Sequence, residues 1–136
     1  MTASNPPRPT DAELEILSVL WGRGPSTVRD VHDVIVERRP AQYTTTLKQL
    51  QIMADKGLVR RNVKQRAHIY EAAVPREQTQ RQLAGDLIDR AFGGSAKSLL
   101  LGALSSHQAT ADELAEIRKV LDEHEAKLKE SGRKKL

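Results

Sequence analysis

At Gly57 the hydrophobic repeat of this chain changes from helical to strand-like, and that switch limits what its first half can become. Downstream of it, Leu58 to Lys64 and Ala67 to Val74 are two β-prone runs joined at Gln65 and Arg66, which predicts a hairpin with a basic tip. Upstream, three helical segments are separated by turn residues. Thr10, Asp11, Ala12 and Glu13 have the form of a capping box, and Leu14, Leu17, Leu20 and Trp21 follow on one face until Gly22 to Pro25 end the helix. Ser26 is placed to cap a second helix with the stripe Val28, Val31, Val34 and Ile35, which stops at Arg38, Arg39 and Pro40. A third helix runs from about Gln42 to Lys56. Three helices followed by a basic hairpin is the order of a winged helix-turn-helix, in which the third helix enters a major groove and the hairpin lies along phosphates.

At 100° per residue the third helix places Tyr43, Leu47, Leu50 and Ala54 on the packing side and Thr44, Thr45, Lys48 and Ile52 on the other. That presented side, flanked by Gln42, Gln49 and Gln51, is rich in short hydrogen-bonding groups. Gln42, Thr44, Thr45 and Lys48 can read bases: lysine favours guanine acceptors, glutamine can pair with adenine and threonine can touch a thymine methyl. Tyr43 is either a phosphate contact through its hydroxyl or a core residue. Charge points the same way. The net charge is only +4, yet Arg38, Arg39, Lys48, Lys56, Arg60, Arg61, Lys64 and Arg66 are opposed between positions 38 and 66 by Asp55 alone. Such a concentrated basic segment is either a solvated face or the footprint of phosphate contacts, to which Arg60, Arg61, Lys64 and Arg66 would contribute.

Pro75 opens a second region that is helical by pattern. Leu83, Leu87, Ile88, Ala91 and Phe92 are spaced for an amphipathic helix ending at Gly93 and Gly94, and Leu99, Leu100, Leu101 and Leu104 make a short apolar one. Thr110 to Glu113 form a second capping box ahead of a two-heptad seam of Leu114, Ile117, Leu121, His124 and Leu128. Three such stripes cannot easily bury one another within one chain. With 136 residues and only Trp21, Tyr43, Tyr70 and Phe92 as aromatics, the chain is expected to gain burial by dimerising through Leu83, Leu87, Phe92, Leu100, Leu104, Leu114, Ile117 and Leu121. The expected organisation is a disordered tail over 1–9, a winged helix-turn-helix over 10–75, a three-helix dimerisation region over 76–129 and a basic tail over 130–136. The fold class is mostly α with a small β-hairpin.

Enzymatic signatures are missing: the sequence has no Gly-rich phosphate loop, no nucleophile elbow and no metal-binding histidine pair on one helix turn. The absence of cysteine removes disulfides and thiolate sites, so no cofactor or metal is expected. His32 falls between apolar positions of helix 2, His68 on a strand and His107 in a turn. His124 lies on the seam, where a polar residue can fix register or, in a sensing role, respond to metal or pH. The N-terminus lacks a basic start followed by an apolar run, and the longest apolar run, Leu99 to Leu101, is too short to span a bilayer, so a cytoplasmic protein is expected.

Thr-Asp-Ala-Glu-Leu-Glu-Ile-Leu-Ser-Val-Leu-Trp from Thr10 to Trp21, the opening Thr27 to Val31, Tyr43 to Lys48, Lys56 to Val59, and Arg66 with Tyr70 together resemble the penicillinase repressor family of bacteria, the BlaI/MecI/CopY group. The likeness covers roughly Thr10 to Lys129. It implies a homodimeric repressor that binds double-stranded operator DNA at an inverted repeat of the TACA and TGTA type and controls genes for β-lactam resistance or stress responses. It also implies relief by a membrane metalloprotease sensor through cleavage in the apolar helix Leu99 to Leu104, with Leu101, Gly102 and Ala103 as the candidate region. Copper-responsive members carry a cysteine-rich C-terminal motif that this chain lacks. Two other classes remain open on the residues alone: a winged-helix module that contacts an acidic protein surface, and a ligand or metal sensor using His124 or an interhelical pocket.

Overall fold

Thr10 starts the first helix as its capping box predicts. Its hydroxyl accepts from the Glu13 amide at 3.2 Å, and the Glu13 carboxylate accepts from the Thr10 amide at 2.9 Å. The computed structural model describes residues 7–63 and 66–135, with side chains through Gly132. Most of the expected tail, 1–6, lies outside them. Pro9 is nevertheless buried and Arg8 pairs with Asp86, so order begins before Thr10.

Helix α1 spans Asp11–Arg23 and α2 spans Val28–Arg38. Thr27, rather than Ser26, caps α2: its hydroxyl accepts from the Asp30 amide at 3.0 Å, and Asp30 accepts from the Thr27 amide at 3.1 Å. Ser26 belongs instead to a short strand β1, Ser26–Thr27, whose two residues are too few to show a period. Helix α3, Tyr43–Lys56, ends at Gly57, whose φ of 84° is the left-handed conformation that glycine reaches without a Cβ penalty. Strands β2, Val59–Asn62, and β3, Ile69–Ala72, then form the expected hairpin. The sheet is antiparallel in the order β1-β3-β2, with Ser26 opposite Tyr70, and Arg60 and Arg61 opposite Glu71 and Tyr70.

Ile16, Leu17, Leu20, Val31, Ile35, Leu50, Met53, Leu58 and Tyr70 are buried where these elements meet. Each aliphatic side chain removed from water contributes about 1.5–3 kcal/mol before entropy is charged against it. Trp21 closes the end of this core, donating from Nε1 to the Val74 carbonyl at 2.9 Å. The chain divides into two compact units, one through Asp86 and one from Leu87.

Helix α4, Arg76–Ala91, runs across that boundary, and the second unit adds α5, Ala96–Ser106, and α6, Ala111–Lys135. The corner between α4 and α5 turns at Gly93 and Gly94, both at positive φ, and the Gly94 amide reaches the Ile88 carbonyl at 2.8 Å. Gly102 of α5 lies against the Phe92 ring, where an added Cβ would sit 3.3 Å from a ring carbon. Thr110 caps α6 by accepting from the Glu113 amide at 3.1 Å. The helix continues past Lys129 to Lys135, well into the expected basic tail. Among the described residues from Leu87 onward, none is buried within the chain. None of the described helices is long and apolar enough to cross a membrane.

Candidate nucleic-acid interface

Helix α3 is fixed near both ends by polar contacts, which leaves its outward side free of structural duty. At its start the buried His32 of α2 brings Nδ1 to 3.0 Å from the Thr46 hydroxyl. At its end Lys56 donates to the Glu13 carboxylate at 2.7 Å. Burial opposes the charge on Glu13 and is the largest single influence on it. Hydrogen bonds from Lys56 and from the Thr10 amide and hydroxyl, with the Lys56 charge, together outweigh burial and hold the carboxyl below its ordinary range.

The buried face of α3 is Thr46, Leu50 and Met53, with Leu47 and Ala54 partly buried against the core. This face is rotated from the expected one, and Tyr43 is the residue it expels: 37% of it is exposed. Its ring takes the His32 ring edge-on at 5.5 Å between centroids and carries the Arg29 guanidinium at 4.8 Å. Thr46 can be buried in its place because His32 satisfies its hydroxyl. Thr44, Thr45 and Lys48 stand exposed as expected, as does Gln42 at the N-cap, whose side chain makes no capping bond. Ile52, expected on the presented side, is partly buried.

The strand arginines divide by partner. Arg60 is exposed but donates to its cross-strand neighbour Glu71 at 3.2 Å, which offsets part of its charge. Arg61 and Arg66 are exposed and, among the described residues, have no carboxylate partner. Lys64 lies outside the described residues. Helix α3 and the return arm of the wing border one cleft, lined by Tyr43 and Leu47 on one side and by Arg66 and His68 on the other. Arg29 also lines it and carries no signal in the sequence, because a single arginine in the first turn of α2 stands outside the basic segment.

In the second unit the expected dimerisation residues are exposed or half-buried, and none is buried. Leu87, Leu104, Leu114 and Leu121 are 49%, 38%, 36% and 53% exposed, and Phe92, Leu100 and Ile117 are half-buried. Leu83, which lies in the first unit, is half-buried too. Leu101 and Ala103 are exposed on α5, with Gly102 between them half-buried. His124 stays on the exposed side of α6 and brings Nδ1 to 3.1 Å from the Val120 carbonyl. Among the described residues no cluster of His, Asp and Glu could hold a metal ion.

A helix offering hydroxyls, amides and an ammonium, beside guanidinium groups with no internal counter-charge, can contact base edges and phosphates together. Comparison with known proteins gives the family. Residues 9–123 match the family described as penicillinase repressor. The chain is 35% identical over 118 residues to the transcriptional regulator BlaI of Mycobacterium tuberculosis strain H37Rv, which covers 85% of this chain and 84% of that protein. It is 23% identical over 124 residues to the penicillinase repressor of Bacillus licheniformis, covering 91% of this chain and 97% of the other. With the penicillinase repressor of Staphylococcus aureus it shares 18% identity over 112 residues, or 82% and 89% of the two chains.

Proposed function

The chain belongs to the penicillinase repressor family, whose members are transcriptional regulators and not enzymes, and we propose that it represses transcription by binding a palindromic operator as a homodimer. The observation that carries this reading is the exposed row Thr44, Thr45 and Lys48 on a helix anchored through Thr46 and Lys56. In this reading Gln42, Thr44, Thr45 and Lys48 contact base edges in the major groove, and Tyr43, Arg61, Arg66 and Lys64 contact phosphates, with Arg60 a weaker contributor. Two copies joined through the second unit hold two such helices on successive turns of an inverted repeat of the TACA and TGTA type. Joining them raises the effective concentration of the second contact once the first is made.

Repression is steric, and relief follows when the second unit is cut or loosened. Exposure of Leu101 and Ala103 on α5 supports access of a membrane metalloprotease sensor to that segment. The regulated genes are those of β-lactam resistance or a related stress response. The test is fluorescence anisotropy of a labelled duplex carrying the inverted repeat, against a scrambled duplex, over a range of salt. Preference for the repeat with two chains per duplex is the expected result. Equal binding to both duplexes overturns the operator assignment, and no binding at low salt overturns the DNA reading altogether.

A further inference from the structure

A cleft of about 320 Å3 opens beside the outward row of α3, lined by Thr27, Arg29, Tyr43, Leu47, Arg66 and His68 among others. Two elements bring nitrogen donors to it: α2 supplies Arg29, and the return arm of the wing supplies Arg66 and His68, the latter just ahead of β3. Arg29 is exposed, and its guanidinium carbon lies over the Tyr43 ring, 4.8 Å from the ring centre. Arg23 and Arg39, by contrast, have carboxylate partners: Arg23 pairs with Asp30 at 3.3 Å and Arg39 with Glu15 at 2.7 Å. Among the described residues, no carboxylate pairs with Arg29, Arg66 or His68.

The N-terminus of α2 does not explain the cleft's charge, because Asp30 already accepts from the Thr27 amide there. The positive character comes from side chains. A guanidinium held over an aromatic ring keeps N–H groups free and loses less freedom than an unheld one when it grips a tetrahedral anion. The cleft also directly adjoins Tyr43, the first residue of α3, so an anion there would sit one residue from Thr44.

We infer that this cleft seats one phosphodiester of the operator backbone, with Arg29 as the principal donor, Tyr43 as its platform and His68 and Arg66 closing the opposite side. The inference rests on the repressor reading and assigns Arg29 and His68 to the DNA contact. A phosphate held at the start of α3 fixes the register in which Thr44, Thr45 and Lys48 meet the bases, without itself reading sequence.

The test is anisotropy with the full-length protein, on the inverted-repeat and scrambled duplexes over a salt series, with thermal melts run in parallel. Arg29→Gln should weaken both duplexes by a similar factor, roughly tenfold, and lower the slope of log affinity against log salt by about 0.9 for each bound chain. Arg29→Lys should recover part of the affinity and all of the slope, and His68→Gln should weaken both duplexes less than Arg29→Gln does. Tyr43→Phe keeps the platform and should bind closer to wild type than Tyr43→Leu, which frees the guanidinium. If the wild type prefers the repeat while Arg29→Gln keeps its affinity and slope, the inference fails and the repressor reading stands. If Arg29→Gln lowers only the melting temperature, Arg29 is a packing residue and the inference fails as well. A wild type that binds neither duplex overturns both.

Discussion

Lys56, the last residue of α3, donates across 43 residues of chain to the Glu13 carboxylate in the first turn of α1. The carboxylate is almost wholly buried, whereas the lysine keeps about a third of its side chain in water. The pair therefore joins the end of the presented helix to the start of the fold, and its two members are not equivalent. Lys56→Met should cost about 2 kcal/mol, measured by denaturant unfolding, because it leaves a buried carboxylate without its cation. A loss under about 0.5 kcal/mol, the size of an ordinary surface change, would mean that Thr10 alone satisfies Glu13.

The same carboxyl makes the first unit sensitive to acid. Its folded pKa is held below the ordinary 4.5, so its contribution to stability is present above that value and is lost as pH falls through the folded pKa. Asp30, held down chiefly by the Thr27 amide, with the Thr27 hydroxyl and Arg23 adding to it and burial opposing, acts in the same direction from its ordinary 3.8 downward. The melting temperature should fall as pH drops below 4.5. Glu13→Gln should be less stable at neutral pH and show a shallower fall, and curves of equal slope would contradict this.

Base readout and phosphate contact separate by residue. Thr45→Ala and Lys48→Ala remove exposed groups, so each should reduce the preference for the inverted repeat over a scrambled duplex by about 1–3 kcal/mol with little change in melting temperature. Arg61→Ala and Arg66→Ala should weaken both duplexes alike and flatten the salt dependence. Arg60→Ala should do so less, since Glu71 already takes part of its charge.

Replacing Leu114 and Leu121 together by Asp tests the second unit. Both are exposed in the single chain, so the change costs little unless another chain covers them. Sedimentation equilibrium should show two associated wild-type chains and one dissociated variant chain, with the unfolding of the first unit unchanged. A variant that stays paired would place the dimer contact elsewhere.

Gly57→Ala should destabilise the first unit by about 1 kcal/mol, because a φ of 84° forces a Cβ into the left-handed region. The added Cβ would meet no neighbour, so the loss is backbone strain alone. A neutral result in thermal melts would show that the turn relaxes.

The order of elements was legible because it is written in local signals: the capping box at Thr10, the stop at Gly57 and the change of period after it. What escaped is tertiary. Strand β1 is two residues long and exists only because β3 pairs with it. The rotation of α3 depends on His32 accepting Thr46 into the core and on Arg29 taking Tyr43 at the surface, and both come from a different helix. The wheel puts Tyr43 in the interior and leaves Thr46 unassigned, and here the partners bring Thr46 in and leave Tyr43 at the surface. Thr44, Thr45 and Lys48 fell where the wheel put them because nothing in the fold competes for them. Arg29 was missed because its significance lies in what stands beside it in space.

The uncovered leucines of α4 to α6 bear on how such a chain is switched. If a second copy covers this surface, as proposed, ordering of the second unit and association become a single equilibrium, and the occupied fraction of operator depends on abundance more steeply than one-to-one binding would allow. Halving the intact chains lowers the paired form by more than half while pairing is incomplete. A modest rate of loss could then open a promoter that slow dissociation from DNA would otherwise keep shut.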